Sequence, residues 1–224
     1  MKLYMHTAAC SLSPHIVCRE LGLPVELVPV ERGTHLLPDG SDFTAVNGNG
    51  YVPILELDDG TRLMEGPAIV QYLADRHPQS GLAPRAGTLE RVRLQSWLNF
   101  IAAELHKPMA MHFNPALAPA RDGLRAIVVK RLDWLAQQLT GPFLMGERFS
   151  VADAYLFVCL NWSPWIRIEL DRWPALQSFM ESVAARPSVK AALAAEELGA
   201  FEAGGTFFAP QSYLAGRTEA GVRP

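Results

Sequence analysis

Residues 2–30 read KLYMHTAACSLSPHIVCRELGLPVELVPV, and this stretch decides the fold of the first half of the chain. Residues 2–6 and 25–30 are typical of short strands, and between them Ile16, Val17 and Leu21 lie near helical spacing. Gly22 followed by Pro24 ends the helix. A strand–helix–strand crossover normally places its two strands parallel in one sheet. The stretch therefore predicts a β-α-β unit.

The remainder of this half predicts two more strands and a helix. We expect an irregular loop over residues 33–50, and then a strand at residues 52–57. Asp59-Gly60 is a strong hairpin signal and leads into a strand at residues 62–64. Glu65-Gly66-Pro67 begins a helix, with Pro67 in the first helical position. The sequence thus predicts an α/β domain of order β-α-β-β-β-α over residues 1–77, with an irregular loop or helix before the third strand.

The pattern becomes entirely helical after a linker. Residues 78–87 combine prolines and glycines without periodicity, which predicts the linker, and residues 88–200 predict an all-α domain. Ser150 with Asp153 resembles a capping box at a helix start. Residues 201–224 are rich in Gly, Ala and Pro and predict a loosely held C-terminal tail. Helices are expected at residues 88–111, 120–139, 150–160, 174–185 and 189–198.

Composition excludes several classes of protein. With 224 residues, 49% hydrophobic and 19% charged, the chain is neither polar nor charged enough for general disorder. A formal net charge of −3 gives no basic surface for nucleic acid. No apolar run approaches the ~18 residues of a membrane span, and the first residues lack the apolar core of a signal peptide. We therefore expect a cytoplasmic globular protein that binds neither nucleic acid nor membrane.

Cys10 is the first candidate for chemistry. It lies between the first strand and the first helix, where backbone N–H groups and the helix dipole favour a thiolate. The alternative is a small buried hydrophobic residue, which is the interpretation we favour for Cys18 and Cys159. Position 13 is a serine, which excludes a dithiol cycle within this motif but permits a mixed disulfide with an external thiol. No set of His, Cys and acidic residues has convincing metal-ligand spacing, so no metal is expected.

Two further motifs accompany Cys10. Tyr51-Val52-Pro53 places a proline at the start of a strand, where it is either an ordinary edge residue or a cis proline. A cis bond would turn the main-chain groups of Val52 toward the Cys10 turn, where they could pair with an extended peptide. Glu65-Gly66 supplies a carboxylate beside helix N–H groups, which suits a ligand carrying both an amino group and a carboxylate. Taken alone, Glu65 would be an acid that complements the helix dipole.

Together these motifs resemble the glutathione S-transferase family, and more narrowly its bacterial beta class. The resemblance runs from Met1 to about Leu198. It rests on ACSLSPH at residues 9–15, EGPAIVQYLAD at residues 65–75, and WLNFI with ELHK at residues 97–101 and 104–107. It implies a thioredoxin-like N-terminal domain, a helical C-terminal domain and a homodimer. An apolar ridge at Leu94, Trp97, Leu98, Ile101 and Leu105 is wider than one core-facing stripe needs, which we interpret as part of the dimer surface.

The resemblance also implies roles for individual residues. Cys10 and His106 would be catalytic, because they match the residues that face the sulfur of glutathione. His35 stands where relatives place a lysine near the glycyl carboxylate of glutathione. In a regular helix Asn99 and His106 share a face, whereas Glu104 points well away from it. The resemblance implies that Glu104 lies near the partner subunit's site. The full set expected to bind glutathione is Cys10, His35, Tyr51, Val52, Pro53, Glu65, Gly66, Asn99, Glu104, His106 and Lys107.

The function implied is detoxification, in which glutathione as co-substrate attacks a hydrophobic electrophile. Two alternatives stay open. One is a glutathione-dependent thiol-disulfide oxidoreductase or peroxidase that works through a Cys10 mixed disulfide. The other is a non-catalytic ligand-binding protein of the same fold.

Overall fold

The computed structural model describes residues 1–198, so the expected tail at residues 201–224 and the end of the expected helical domain lie outside the described residues. The first half forms one four-stranded sheet in the order β2-β1-β3-β4. Strands β1 and β2 are parallel, while β3 is antiparallel to both β1 and β4. The predicted fold class is confirmed. The strands are β1 (Lys2–Met5), β2 (Glu26–Pro29), β3 (Ile54–Glu56) and β4 (Arg62–Met64).

Two helices and one short helical turn complete this half. Helix α1 is Leu12–Glu20 and helix α2 is Gly66–Arg76. A 3₁₀ turn at Phe43–Ala45 lies in the loop before β3. Leu3, Met5 and Leu55 on one sheet face pack with the buried residues of α1 and α2, whereas Tyr4 and Ile54 on the other face pack around Phe43. This alternation is the two-residue period of a strand, so both faces of the sheet are covered.

The second half is helical, but the expected helix at residues 88–111 is not one regular helix. Helix α3 is Leu89–Phe100, a π-helical segment follows at Ile101–His106, and α4 is Lys107–His112. A π segment pairs residues five apart instead of four, which changes the face on which the following side chains lie. The other helices are α5 (Arg121–Gln138), α6 (Val151–Asn161), α7 (Pro174–Ala184) and α8 (Pro187–Ala195).

Helix α6 joins the two halves. Every residue of α6 is buried, and α6 and α8 both pack against α1. The predicted capping box is confirmed: Asp153 Oδ2 accepts a hydrogen bond from the Ser150 backbone N–H at 2.7 Å. Helix α1, which follows the Cys10 turn, is therefore held by the helical half.

Candidate functional site

A cleft of about 660 Å³ lies between the two halves. Its sheet-side wall comes from the β1–α1 turn, the segment before β3 and the start of α2. Its helical wall comes from the end of the π segment, α4 and the stretch after α6. The lining residues that matter below are Thr7, Cys10, Arg32, Val52, Pro53, Glu65, Gly66, His106, Lys107, Phe113, Tyr155, Trp162 and Trp165.

Cys10 occupies the turn before α1 and is half-buried. Its thiol donates a hydrogen bond to the Val52 carbonyl oxygen, with Sγ 3.3 Å from the oxygen. Burial raises the pKa of this thiol to about 11, and the nearby Arg32 charge and backbone N–H groups offset only part of that rise. The expectation that the helix start makes Cys10 a thiolate is therefore wrong, because burial raises the thiol pKa by more than the helix N-terminus lowers it. Cys18 and Cys159 are fully buried, as expected.

The segment before β3 carries the expected main-chain edge. The Val52–Pro53 peptide bond is cis. The Asn47 side chain donates to the Tyr51 carbonyl oxygen at 2.7 Å, which fixes the chain just before Val52. Tyr51 itself is 73% exposed and lines the cleft.

Glu65 stands at the N-terminus of α2 with its backbone in the left-handed region, at φ +66°. A non-glycine residue in that region is uncommon, and such residues cluster at functional sites. Within residues 1–198 its carboxylate makes no hydrogen bond or ion pair, and it lines the cleft beside the buried Gly66. A carboxylate held open beside helix N–H groups can bind an ammonium group while the N–H groups bind a carboxylate.

His106 ends the π segment and lies in the cleft wall. Its Nδ1 is 2.6 Å from the Tyr155 hydroxyl. Burial, helped by the Lys107 charge, lowers the pKa of His106 to about 4, so the ring is neutral near pH 7. Tyr155 is only 2% exposed, and Nδ1 is the acceptor within its hydroxyl's reach in the described chain. Since a buried hydroxyl needs an acceptor, Tyr155 donates to Nδ1 and the ring proton resides on Nε2.

The remaining expected site residues divide into two groups. Lys107 lines the cleft. Asn99 and Glu104 do not: Asn99 is exposed on α3, and Glu104 forms an ion pair with Arg131 at 2.6 Å. The π segment breaks the seven-residue alignment that would have placed Asn99 on the face of His106. Contact of Glu104 with a ligand held by a second copy stays a prediction, and so does the binding of glutathione by Asn99.

His35 also lies away from the cleft lining. Its ring packs against Gly50, where an added Cβ would come within 2.9 Å of His35 Cε1. Its Nδ1 is buried and has no hydrogen-bond partner among residues 1–198. The position gives no support to the expected contact between His35 and glutathione.

Several residues of the cleft were missed by sequence reasoning. Arg32 and Tyr155 lie in it, and Phe113, Trp162 and Trp165 form an aromatic wall in which Phe113 is 6.0 Å from Trp162 between ring centroids. No spacing rule marks these residues, because they reach the cleft from separate parts of the chain: the segment after β2, the end of α4, and α6 with the stretch that follows it.

Residues 1–198 hold no group of three or more His, Cys, Asp or Glu side chains placed to bind a metal ion. In the same residues no helix is long and apolar enough to cross a membrane.

Comparison with known proteins gives a consistent result across the chain. The family model for the glutathione S-transferase N-terminal domain matches residues 7–81, and the model for its C-terminal domain matches residues 104–196. The chain is 41% identical over 200 residues to glutathione S-transferase GstA of Escherichia coli O157:H7, covering 88% of this chain and 100% of that protein.

Solved structures agree. A ternary complex of BphK, a bacterial glutathione S-transferase, is 50% identical with a TM-score of 0.86, covering 88% of this chain and 100% of that one. A beta-class glutathione S-transferase of Sphingomonas chungbukensis is 43% identical with a TM-score of 0.84, covering 88% and 98% of the two chains.

Proposed function

The chain belongs to the glutathione S-transferase family, and we propose that it activates the glutathione thiol for attack on an apolar electrophile. The observation that carries this proposal is the state of His106. The ring is neutral, its Nδ1 accepts from Tyr155, and its Nε2 makes no hydrogen bond within the described chain while remaining open to the cleft near Cys10.

Glutathione would lie along the sheet-side wall. The open Glu65 carboxylate binds the ammonium group of its γ-glutamyl end, and the N–H groups at the start of α2 bind the carboxylate beside it. The main-chain edge at Val52 pairs with the cysteinyl unit as an added strand. This arrangement brings the ligand sulfur to the Cys10 turn, opposite His106.

The Nε2–H of His106 then donates a hydrogen bond to the ligand sulfur. A donor aimed at a thiolate stabilises the charged form, so the thiol loses its proton to solvent more readily. The thiolate attacks an electrophilic carbon of the co-substrate, a carbon–sulfur bond forms, and the leaving group departs with its electron pair. Because the His106 pKa is about 4, the residue acts as a fixed donor and not as a base that titrates near pH 7.

The helical wall selects the co-substrate. Phe113, Trp162 and Trp165 line the helical side of the cleft. Apolar walls with few polar groups are typical of small-molecule sites, and they exclude water from the thiolate. The co-substrate is therefore an apolar, aromatic-compatible electrophile.

The raised pKa of Cys10 separates this proposal from the disulfide alternative. A thiol of pKa about 11 is ionised in roughly one molecule in ten thousand at pH 7, and only the thiolate attacks a disulfide.

We also propose a homodimer, but not through the ridge inferred from the sequence. Leu94, Leu98, Ile101 and Leu105 are all buried within this chain, whereas Leu89 and Val92 of α3 are more than half exposed.

The test compares glutathione conjugation to an aryl halide with reduction of a glutathione mixed disulfide, in the parent and in Cys10→Ala and His106→Ala. We expect conjugation to dominate, to survive largely in Cys10→Ala, and to lose tenfold or more of kcat/KM in His106→Ala, roughly one charge-assisted hydrogen bond. Disulfide reduction that exceeds conjugation and vanishes in Cys10→Ala would favour the oxidoreductase. Tight glutathione binding without either reaction would favour the non-catalytic binder.

A further inference from the structure

The sheet order arranges four cleft residues in a row. Arg32 follows β2, Cys10 follows β1, Pro53 precedes β3 and Glu65 follows β4. Strands β1, β2 and β4 run in one direction and β3 in the other, so all four residues leave the same end of the sheet. Arg32 and Glu65 therefore mark the two outer positions of the row, with Cys10 and Pro53 between them.

The width of the row fits a tripeptide. Three strand spacings of 4.7–4.9 Å separate β2 from β4, or about 14 Å. An extended tripeptide spans about 10 Å of main chain. The reach of the glutamate and arginine side chains covers the difference, so a ligand held by its ammonium end at Glu65 directs its other end toward Arg32.

The charges of the row agree with this direction. Arg32 lowers the pKa of the central Cys10 thiol and Glu65 raises it, so both charges act on the cleft from their own positions. Arg32 is fixed by a hydrogen bond from Nη2 to the Thr7 carbonyl oxygen at 3.0 Å. A guanidinium carries five N–H donors in a rigid fork that matches a carboxylate, so an arginine at the outer end of the row suits the far carboxylate of the ligand.

The other candidates do not match this end. His35 is packed against Gly50 and does not line the cleft. Lys107 belongs to α4, beside His106 on the helical wall of the cleft, and is not part of the sheet-side row.

We propose that Arg32, and not His35, binds the carboxylate at the glycine end of glutathione. The inference rests on the proposed function, because it needs glutathione in the cleft. It makes Arg32 the residue that distinguishes glutathione from a ligand whose far end is uncharged.

The experiment measures calorimetric affinity for glutathione and for its glycyl ethyl ester, in which only the far carboxylate is neutralised. The variants are Arg32→Met, which keeps an apolar stem, and Arg32→Lys, which keeps the charge. His35→Gln and Lys107→Met are the matched controls. Steady-state kinetics at saturating co-substrate separate KM for glutathione from kcat.

We expect the parent to prefer glutathione over the ester by roughly tenfold or more, as for one charge-assisted hydrogen-bonded pair. Arg32→Met should lose that preference, raise KM for glutathione and leave kcat little changed, and Arg32→Lys should restore part of it. Both controls should keep the preference.

Three outcomes overturn the inference. Arg32→Met could retain the preference, His35→Gln could lose it, or Arg32→Met could weaken both ligands equally, which would indicate that Arg32 only supports the Thr7 turn. A parent protein that binds neither ligand would contradict the proposed function itself, and is thus distinct from a failure of the Arg32 assignment alone.

Discussion

Replacing Tyr155 by phenylalanine tests the proposed state of His106 most directly. The change removes one hydroxyl from a side chain that is 2% exposed, and it leaves His106 Nδ1 without its 2.6 Å partner. A hydrogen bond of this kind contributes about 1 kcal/mol net, and an unsatisfied buried group costs about 1–3 kcal/mol. One pKa unit corresponds to 1.36 kcal/mol, so the expected changes are about one to two pKa units.

The direction of each change follows from which form Tyr155 stabilises. Its O–H stabilises the neutral ring by donating to Nδ1, so losing it raises the pKa of His106 above about 4, while burial and the Lys107 charge still hold that pKa below the ordinary 6.5. The ring also becomes free to carry its proton on Nδ1, which removes the donor from the ligand sulfur. The pKa of bound glutathione should therefore rise by up to about one unit, and kcat/KM near pH 7 should fall about three- to tenfold.

The same shift predicts a change in the pH dependence of stability. The folded-state pKa of His106 lies below its unfolded value, so the unfolded chain binds the extra proton between pH 4 and 6.5. This contribution to stability is fully present above pH 6.5 and is lost as the pH falls toward 4. In Tyr155→Phe this pH range narrows, because its lower limit, the folded-state pKa of His106, moves upward.

The assays are proton NMR titration of the His106 ring, ultraviolet titration of the bound thiolate, and pH profiles of kcat/KM. Tyr4→Phe is the matched control, because Tyr4 is also buried and its hydroxyl bonds weakly to Glu56 at 3.4 Å, on the sheet. Tyr4→Phe should leave the His106 pKa, the pKa of the bound thiol and the pH profile of kcat/KM unchanged. If Tyr155→Phe leaves both the His106 pKa and the thiolate pKa unchanged, the fixed-donor account of His106 is wrong.

Three further predictions follow from other parts of the molecule. Oxidised glutathione should modify Cys10 alone, and slowly because of its raised pKa, so intact mass should show at most one added glutathione in the parent and none in Cys10→Ala, since Cys18 and Cys159 are fully buried. An adduct that persists in the variant would contradict this prediction. Asp153→Ala should lower the thermal midpoint by about 10 °C, because the Leu144 and Ser150 N–H groups, each 2.7 Å from the carboxylate, lose a buried acceptor. The control Asp122→Ala, at an exposed residue, should change the thermal midpoint little. Sedimentation at micromolar concentration should give the dimer mass, and a species near 24.6 kDa would count against the proposed assembly.

Local patterns were sufficient to predict most of the fold. Pro67 at a helix start and Asp59-Gly60 between two short strands each determine an element from a few neighbouring residues, and the structure has both. The π segment after Phe100 was beyond such reasoning, because residues 88–111 keep apolar side chains near helical spacing throughout. That one segment decides which side chain enters the cleft: His106 does, and Asn99 does not.

The site was less predictable, because residues from the helical half of the chain supply hydrogen bonds to the turn that carries Cys10. Ala8, two residues before Cys10, has φ +60°. Its carbonyl oxygen accepts from Trp162 Nε1 at 2.8 Å, and its N–H donates to Glu196 Oε2 at 3.0 Å. The other oxygen of Glu196 lies 2.9 Å from His15 Nδ1 on α1. No motif around residue 10 signals partners more than 150 residues away, and these partners hold the turn in which Cys10 is half-buried and its thiol pKa is raised.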